Sequence, residues 1–230
     1  MINVDDKKHA LVLFSGGLDS TTVLSYALSK KYKIIALTIN YKQRHCYEIE
    51  ASKKIVKKYH NINHIIFDID LSKIGGSALT DNSIDVPNKN TTGIPVTYVP
   101  ARNTIFLSIA ASFAEKYMIR DIFIGVNAID YSGYPDCRPE FIKSYEEMIN
   151  IGTKAGTEDL SFKIHAPLIN LSKSEIITLG TTLGVDYKDT VSCYSLNDKG
   201  EACGKCDSCI FRRQGFADAG IVDPTVYEKK

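Results

Sequence analysis

The chain has 230 residues, 44% of them hydrophobic and 24% charged, with a formal net charge of +1, enough for one large domain or one domain with an appendage. A pI near 7.6 supplies no field that would draw the molecule to nucleic acid or to a membrane surface, and no apolar run is long enough to cross a bilayer. Residues 1–9 are polar and lack the apolar stretch of a signal peptide, so the expected setting is the cytoplasm, where six cysteines argue for metal or catalysis before disulfides.

Residues 11–14 are a short apolar run that predicts a buried strand. Ser15-Gly16-Gly17 breaks it, and from Thr21 the apolar residues Val23, Leu24, Ala27 and Leu28 recur at helical spacing. The unit reads strand, glycine turn, helix. A helix starting in such a turn aims its free N–H groups and positive dipole end at a ligand, usually phosphate. Ser15 and Ser20 add hydroxyl donors. Asp19 repels phosphate unless a divalent cation lies between them; otherwise it caps the helix. The run is neither a Gly-x-Gly-x-x-Gly turn nor a P-loop, which needs Gly-Lys-Ser/Thr. Ser15-Gly-Gly-Leu-Asp-Ser20 does resemble the PP-loop of the ATP pyrophosphatase superfamily, which implies ATP cleaved between its α- and β-phosphates.

A second buried strand over 33–40 forms a βαβ unit with the first and hence a parallel sheet. Its end leads into Tyr41-Lys-Gln-Arg-His45, at the ligand edge of such a sheet; Gln43, Arg44 and His45 read either as ligands or as a solvated helix start. An amphipathic helix over 48–59 and a third strand over 64–71 follow. Residues 75–93 are polar and without periodicity, expected as a mobile lid or a flexible insertion. Asn103 is a good N-cap for a helix over 104–114 that is apolar nearly all round and so expected at the centre. Arg102 at its mouth has the donor fork to clamp a carboxylate or phosphate.

The next strand is expected over 121–126. The segment after it carries Asp130, Tyr131, Tyr134, Asp136 and Arg138; flat rings and fixed carboxylates suit a planar heterocycle with N–H donors, and a turn-rich surface loop is the alternative. Cys137 reads as a packed thiol. A helix over 141–151 and a strand over 162–169 precede Ser172-Lys-Ser-Glu175, a capping box opening a helix that Gly184 ends. Lys173 in its first turn opposes the dipole, so it either contacts phosphate or is solvated. Cys193, Cys203, Cys206 and Cys209 give Cys-x9-Cys-x2-Cys-x2-Cys, a spacing that converges on one structural zinc ion more readily than on an iron–sulfur cluster or a redox pair. Lys205, Arg212 and Arg213 beside it are a weak nucleic-acid footprint.

The glycine turn, Tyr41-Lys-Gln-Arg-His45, Pro100-Ala-Arg-Asn103, Ser132-Gly-Tyr-Pro-Asp-Cys-Arg138 and the four cysteines together resemble the 7-cyano-7-deazaguanine synthase (QueC) family over nearly the whole chain. The resemblance implies a doubly wound, Rossmann-like α/β sheet over 1–187 with a zinc module over 188–230, acting as a homodimer on 7-carboxy-7-deazaguanine, ammonia and ATP and not on nucleic acid or membrane. It implies nucleotide binding by Phe14, Ser15, Gly16, Gly17, Leu18, Asp19, Ser20, Thr21, Thr22, Val23 and Leu24. Ser15, Asp19, Ser20, Arg102 and Lys173 would act in catalysis, with Mg²⁺ near Asp19. Gln43, Arg44, His45, Asp130, Tyr131, Tyr134, Asp136 and Arg138 would hold the substrate. Lys42 and Ala101 depart from the family pattern, which has glycine at both places; a positive φ there adds strain of ~1 kcal/mol. Rival readings are a tRNA-thiolating enzyme, which needs reactive thiols outside the zinc set, and a non-catalytic zinc-knuckle module that senses ATP.

Overall fold

Five parallel strands, β1 (His9–Leu13), β2 (Lys33–Asn40), β3 (Ile62–Asp68), β4 (Asp121–Phe123) and β5 (Lys163–His165), form one sheet in the order β3-β2-β1-β4-β5. The computed structural model describes residues 8–87, 93–129, 133–158 and 161–229. Successive residues of β1 serve opposite faces, as pleating requires. Leu11 and Leu13 pack with Ile35, Leu37 and Ile122 against α3 (Arg102–Lys116) and α4 (Pro139–Gly152). Ala10 and Val12 pack with Ile34, Ala36 and Phe123 against α1 (Leu18–Ser29), α6 (Lys173–Thr182) and α7 (Asp207–Asp218). Helices on both faces of a parallel sheet are the doubly wound arrangement expected. Each fully buried Leu or Ile stabilises it by ~1.5–3 kcal/mol.

The strand order reverses at β1. The chain leaves β1 for β2 and β3 on one side, then returns to place β4 on the other. In open α/β sheets the crevice at such a reversal, beyond the carboxyl ends of the strands, takes the ligand. β4 and β5 stop at Phe123 and His165, short of the expected 126 and 169. Val12 is the last β1 residue paired with β4; beyond Phe123 the chain keeps one bond to the β5 side, Ile124 N donating to His165 O at 2.9 Å, and then runs along the crevice, which Ile124, Gly125 and Val126 line.

Three local expectations are corrected. Asn103 is not the cap of α3: Ala101 precedes the helix in a left-handed conformation, and the Asn103 side chain donates to the Asp136 carbonyl at 3.0 Å. The α3 helix buries one face through Leu107, Ala110, Ala111 and Ala114 but exposes Ser108 and Ser112, because it lies on one side of the sheet, not between layers. The 75–93 segment is no free lid along its length. Ser77, Ala78, Leu79 and Thr80 are buried, and Ala78 N donates to Val96 O at 2.8 Å while Arg44 N donates to Leu79 O at 2.9 Å. Residues 88–92 lie outside the described residues.

The capping box forms as read: Ser172 Oγ accepts from Glu175 N, and Glu175 Oε2 accepts from Ser172 N at 2.7 Å. Gly184 takes a φ of +79° after the helix. α2 (Tyr47–Val56) and the short α5 (Lys154–Thr157) complete the α-helices of the described residues, with 3-10 turns at Pro135–Cys137 and Tyr187–Asp189, and no helix among them is long and apolar enough to cross a membrane.

Candidate active site

The glycine turn sits at the reversal point. Gly16 holds φ at +84°, and a Cβ there would lie 2.6 Å from Ser52 N and 2.8 Å from Glu48 O, both backbone atoms of α2. Only glycine fits. Gly125, leaving β4, is tight to a lesser degree: its Cβ would lie 3.2 Å from Ser20 N. Ser15 and Ser20 bridge the turn, with Oγ atoms 3.1 Å apart and Ser15 N donating to Ser20 Oγ at 3.2 Å. Thr21 Oγ1 donates to Gly17 O at 2.7 Å, and Thr22 Oγ1 donates to Leu18 O at 3.0 Å. No side chain caps α1 at Gly17, so the first-turn N–H groups are left for a ligand.

Asp19 neither caps the helix nor stands alone. Lys173 Nζ donates to its two oxygens at 2.8 and 2.9 Å, with the side chains 8% and 18% exposed. The solvated reading of Lys173 is therefore wrong: the lysine opens α6 against the dipole because its charge is spent on Asp19, across from the N-terminus of α1. Each Asp19 oxygen retains a second lone pair, so the carboxylate can still take a divalent ion beside the lysine.

The cavity above the turn is lined on its far side by Tyr41, Gln43, Arg44, His45, Glu48, Arg102, Phe106, Tyr134, Cys137 and Tyr194. Lys42 is left-handed at φ +62°, which folds the chain back so that Gln43 Oε1 accepts from Tyr41 N at 3.0 Å. Arg44 Nη1 donates to Ala78 O and Ile84 O at 3.1 and 3.0 Å, so Arg44 pins the 77–84 segment to the rim. His45 Nε2 lies 2.9 Å from Cys193 O, while its Nδ1 is buried without a partner; burial lowers its pKa. Tyr134 Oη lies 2.7 Å from Thr97 Oγ1. Arg102 is kept protonated by Tyr41, Cys137, Tyr134 and Asp136 around it, against the cost of burial. Burial pushes Tyr41 up to about 12 and Cys137 up to about 12, so Cys137 is a packed thiol and not a nucleophile.

Two expected substrate contacts stand outside this wall. The buried Asp136 carboxylate accepts from Asn103 N at 3.0 Å and so caps α3. Arg138 is exposed, directly before α4. Asp130 and Tyr131 lie outside the described residues. The wall also holds Tyr194, which follows the first zinc-set cysteine, and two residues the sequence did not single out, Glu48 and Phe106. Burial lifts the Glu48 carboxyl to about 7, with Arg102 pulling the other way, and no hydrogen bond engages it among the described residues. Its spacing after His45 on a predicted helix was the signal available.

The four cysteine sulfurs lie within 4.8 Å of one another, and Cys203 Sγ is 4.0 Å from Cys209 Sγ. Sulfurs ~2.3 Å from one tetrahedral ion stand ~3.8 Å apart, so the set fits a single ion and is too close for the corners of a cluster. Ser195 N and Cys203 N both donate to Cys193 Sγ at 3.3 Å, and Cys206 N donates to Cys203 Sγ at 3.4 Å; such donors favour thiolates. Of the neighbouring basic residues Lys205, Arg212 and Arg213, only Arg212 is buried, the other two being exposed. Arg212 is 3% exposed, held by Asp223, Thr190 and the Tyr187 carbonyl, and Arg213 lies over Tyr227.

Comparison with known proteins agrees with this arrangement. The chain is 58% identical over 221 residues to the 7-cyano-7-deazaguanine synthase of Cellvibrio japonicus (strain Ueda107), covering 96% of this chain and 98% of that one. It is 55% identical over 222 residues to the synthase of Stutzerimonas stutzeri (strain A1501), covering 96% and 99%. Among solved structures the fold resembles an NMN synthetase from Francisella tularensis, with a TM-score of 0.51 at 16% identity over 94% of this chain and 79% of that one. It also resembles a 4-thiouridine synthetase, with a TM-score of 0.50 at 18% identity over 91% and 53%. The family model of the queuosine biosynthesis protein QueC matches residues 9–220, and the chain belongs to that family.

Proposed function

We propose that this chain is an ATP-dependent ligase that converts 7-carboxy-7-deazaguanine and ammonia to 7-cyano-7-deazaguanine. The observation that carries this reading is the open N-terminus of α1 at the sheet's reversal point, facing a cavity whose far wall bears Arg102, Tyr134 and Glu48. A carboxylate is a poor electrophile. Transfer of AMP to it creates a leaving group, and ammonia then displaces AMP to give the amide. A second adenylation, on the amide oxygen, permits elimination to the nitrile. The turn's N–H groups with Ser15 and Ser20 stabilise the departing pyrophosphate, and Lys173 adds charge beside it. Asp19 would hold the Mg²⁺ that neutralises the phosphates. Arg102 draws in the substrate carboxylate, and Gln43, His45 and Tyr134 flank the base. The packed Cys137 thiol supports this reading over sulfur transfer.

The four thiolates would hold a zinc ion with no open position, a structural role, and Cys193, one of those ligands, would thereby be fixed where its carbonyl meets His45 Nε2 at 2.9 Å. The C-terminal module over 188–230 is thus a brace for the cavity wall. Exposed Phe67 on β3, which packs on Phe113, and Tyr117 and Met118 past α3 support a homodimer through that face, and six free cysteines suit a reducing cytoplasm. Incubation with ATP, ammonia and the acid, followed by mass analysis, should give the nitrile with AMP and pyrophosphate. AMP release without any new C–N bond defeats the assignment. Metal analysis should find one zinc per chain, lost in Cys206→Ser; iron with sulfide would contradict it.

A further inference from the structure

Ammonia enters this reaction with three hydrogens on nitrogen and the nitrile keeps none. One proton leaves as the amide forms and two leave as the amide becomes nitrile. Building on the ligase reading, we propose that Glu48 is the base that removes these protons from the substrate nitrogen. In the first half, the nitrogen lone pair forms the C–N bond, the C–O bond to AMP breaks with its electron pair, and the cationic nitrogen gives a proton to Glu48. In the second half, the adenylated amide gives up one N–H proton, then the other as the remaining C–O bond breaks and the triple bond forms. Glu48 returns each proton to solvent at the cavity mouth.

The geometry selects Glu48 by what occupies its rivals. Among the described residues, the carboxylates lining the cavity are Asp19 and Glu48. Asp19 is held on both oxygens by Lys173. Glu48 starts beside the turn, its carbonyl against Gly16, and its carboxyl faces Arg102 of α3 with no hydrogen bond of its own. The titratable groups around it are Arg102, Tyr41, Arg44 and His45, with Tyr134 and Cys137 beyond Arg102. His45 commits Nε2 to the Cys193 carbonyl, and its Nδ1 is enclosed by protein, where a substrate nitrogen has no access to it; Tyr41 and Cys137 are pushed far above neutrality. A carboxyl lifted to about 7 by burial is matched to proton transfer at neutral pH. Arg102 beside it places the substrate carboxyl carbon, and hence the nitrogen, within reach.

Adenylation of the acid removes no proton from nitrogen, so it separates this role from mere support of the cavity. The test compares acid-dependent ATP–pyrophosphate exchange without ammonia against nitrile formation from the added amide, in wild type, Glu48→Gln and Glu48→Asp. Glu48→Gln should keep exchange within about threefold and lose nitrile formation by about a hundredfold or more. Its residual rate should lack the rise with pH through neutrality that the wild type shows, and Glu48→Asp should recover part of the loss. Nitrile formation by Glu48→Gln at the wild-type rate overturns the proposal, as does an equal loss of exchange. A wild type that forms nitrile keeps the ligase reading intact in either case; one that neither exchanges nor forms nitrile defeats that reading first.

Discussion

The two sides of the cavity meet the same backbone demand in different ways. On the turn side the left-handed position is Gly16, with α2 backbone packed where a side chain would go. On the far side the left-handed positions are Lys42 and Ala101, at φ +62° and +53°, each directly before a cavity residue, Gln43 and Arg102. Gly16 is a matter of space as well as angle; the far side is a matter of angle alone. The turn should therefore break when a side chain is added, and the wall should relax when one is removed.

Gly16→Ala carries the largest expected effect. The new methyl would sit 2.6 Å from Ser52 N, and a helix backbone cannot swing aside as a flexible side chain can. Strain at the angle and overpacking together should cost about 4 kcal/mol, read by urea denaturation, with loss of ATP–pyrophosphate exchange. A variant as stable as wild type would show that α2 yields to the turn.

Asp19→Ala should come next. It takes from the buried Lys173 the carboxylate to which Nζ donates twice, which costs about 3 kcal/mol, and it removes the carboxylate expected to hold the phosphates' cation. AMP formation should fall at least ~1,000-fold while the circular dichroism of the native fold persists. Full turnover in this variant would remove Asp19 from the reaction.

Glu48→Gln tests the wall's electrostatics through stability. The folded carboxyl titrates at about 7 against 4.5 for the free group, because burial disfavours the charge. The native state then binds more protons than the unfolded chain between these values, so wild-type stability falls as pH rises across that window. Below it both states are protonated and the variant should match wild type. Above it the variant should be more stable, by about 2 kcal/mol after allowing for solvent in the cavity. Equal melting temperatures at pH 8 would mean that Glu48 carries its charge without penalty.

How much of this was legible followed from how locally each feature is determined. The strand–turn–helix unit, the Ser172–Glu175 capping box and the four cysteines are contiguous or nearly so, and short-range chemistry dictates them. Glu48 reads in isolation as an acidic residue favouring the first turn of α2; only the approach of α3 makes it a half-buried neighbour of Arg102. Arg212 reads as a surface cation until Asp223 and the Tyr187 carbonyl close on it. Asn103 and Asp136 exchanged expected roles: the helix cap comes from the distant carboxylate, and the residue that looks like a cap reaches back to that residue's carbonyl. The expected strand over 121–126 ran past Phe123 because Ile124 and Val126 stay buried in the core although the pairing with β1 ends at Phe123.

The smallest effects sharpen the opening contrast most. A left-handed residue with a side chain is disfavoured by about 1 kcal/mol relative to glycine, and glycine gives back about 0.5 kcal/mol through the entropy of the unfolded chain. Lys42→Gly and Ala101→Gly should therefore each stabilise the protein by about 0.5 kcal/mol, and the pair should add, since they lie on separate segments. Gln43 still accepts from Tyr41 N and Asp136 still caps α3 in either variant, so nitrile formation should stay within about twofold. Measured melting curves decide the matter. A loss of stability in both variants would mean that the side chains of Lys42 and Ala101 contribute packing worth more than the angle costs, and that the two sides of the cavity differ in chemistry as well as in strain.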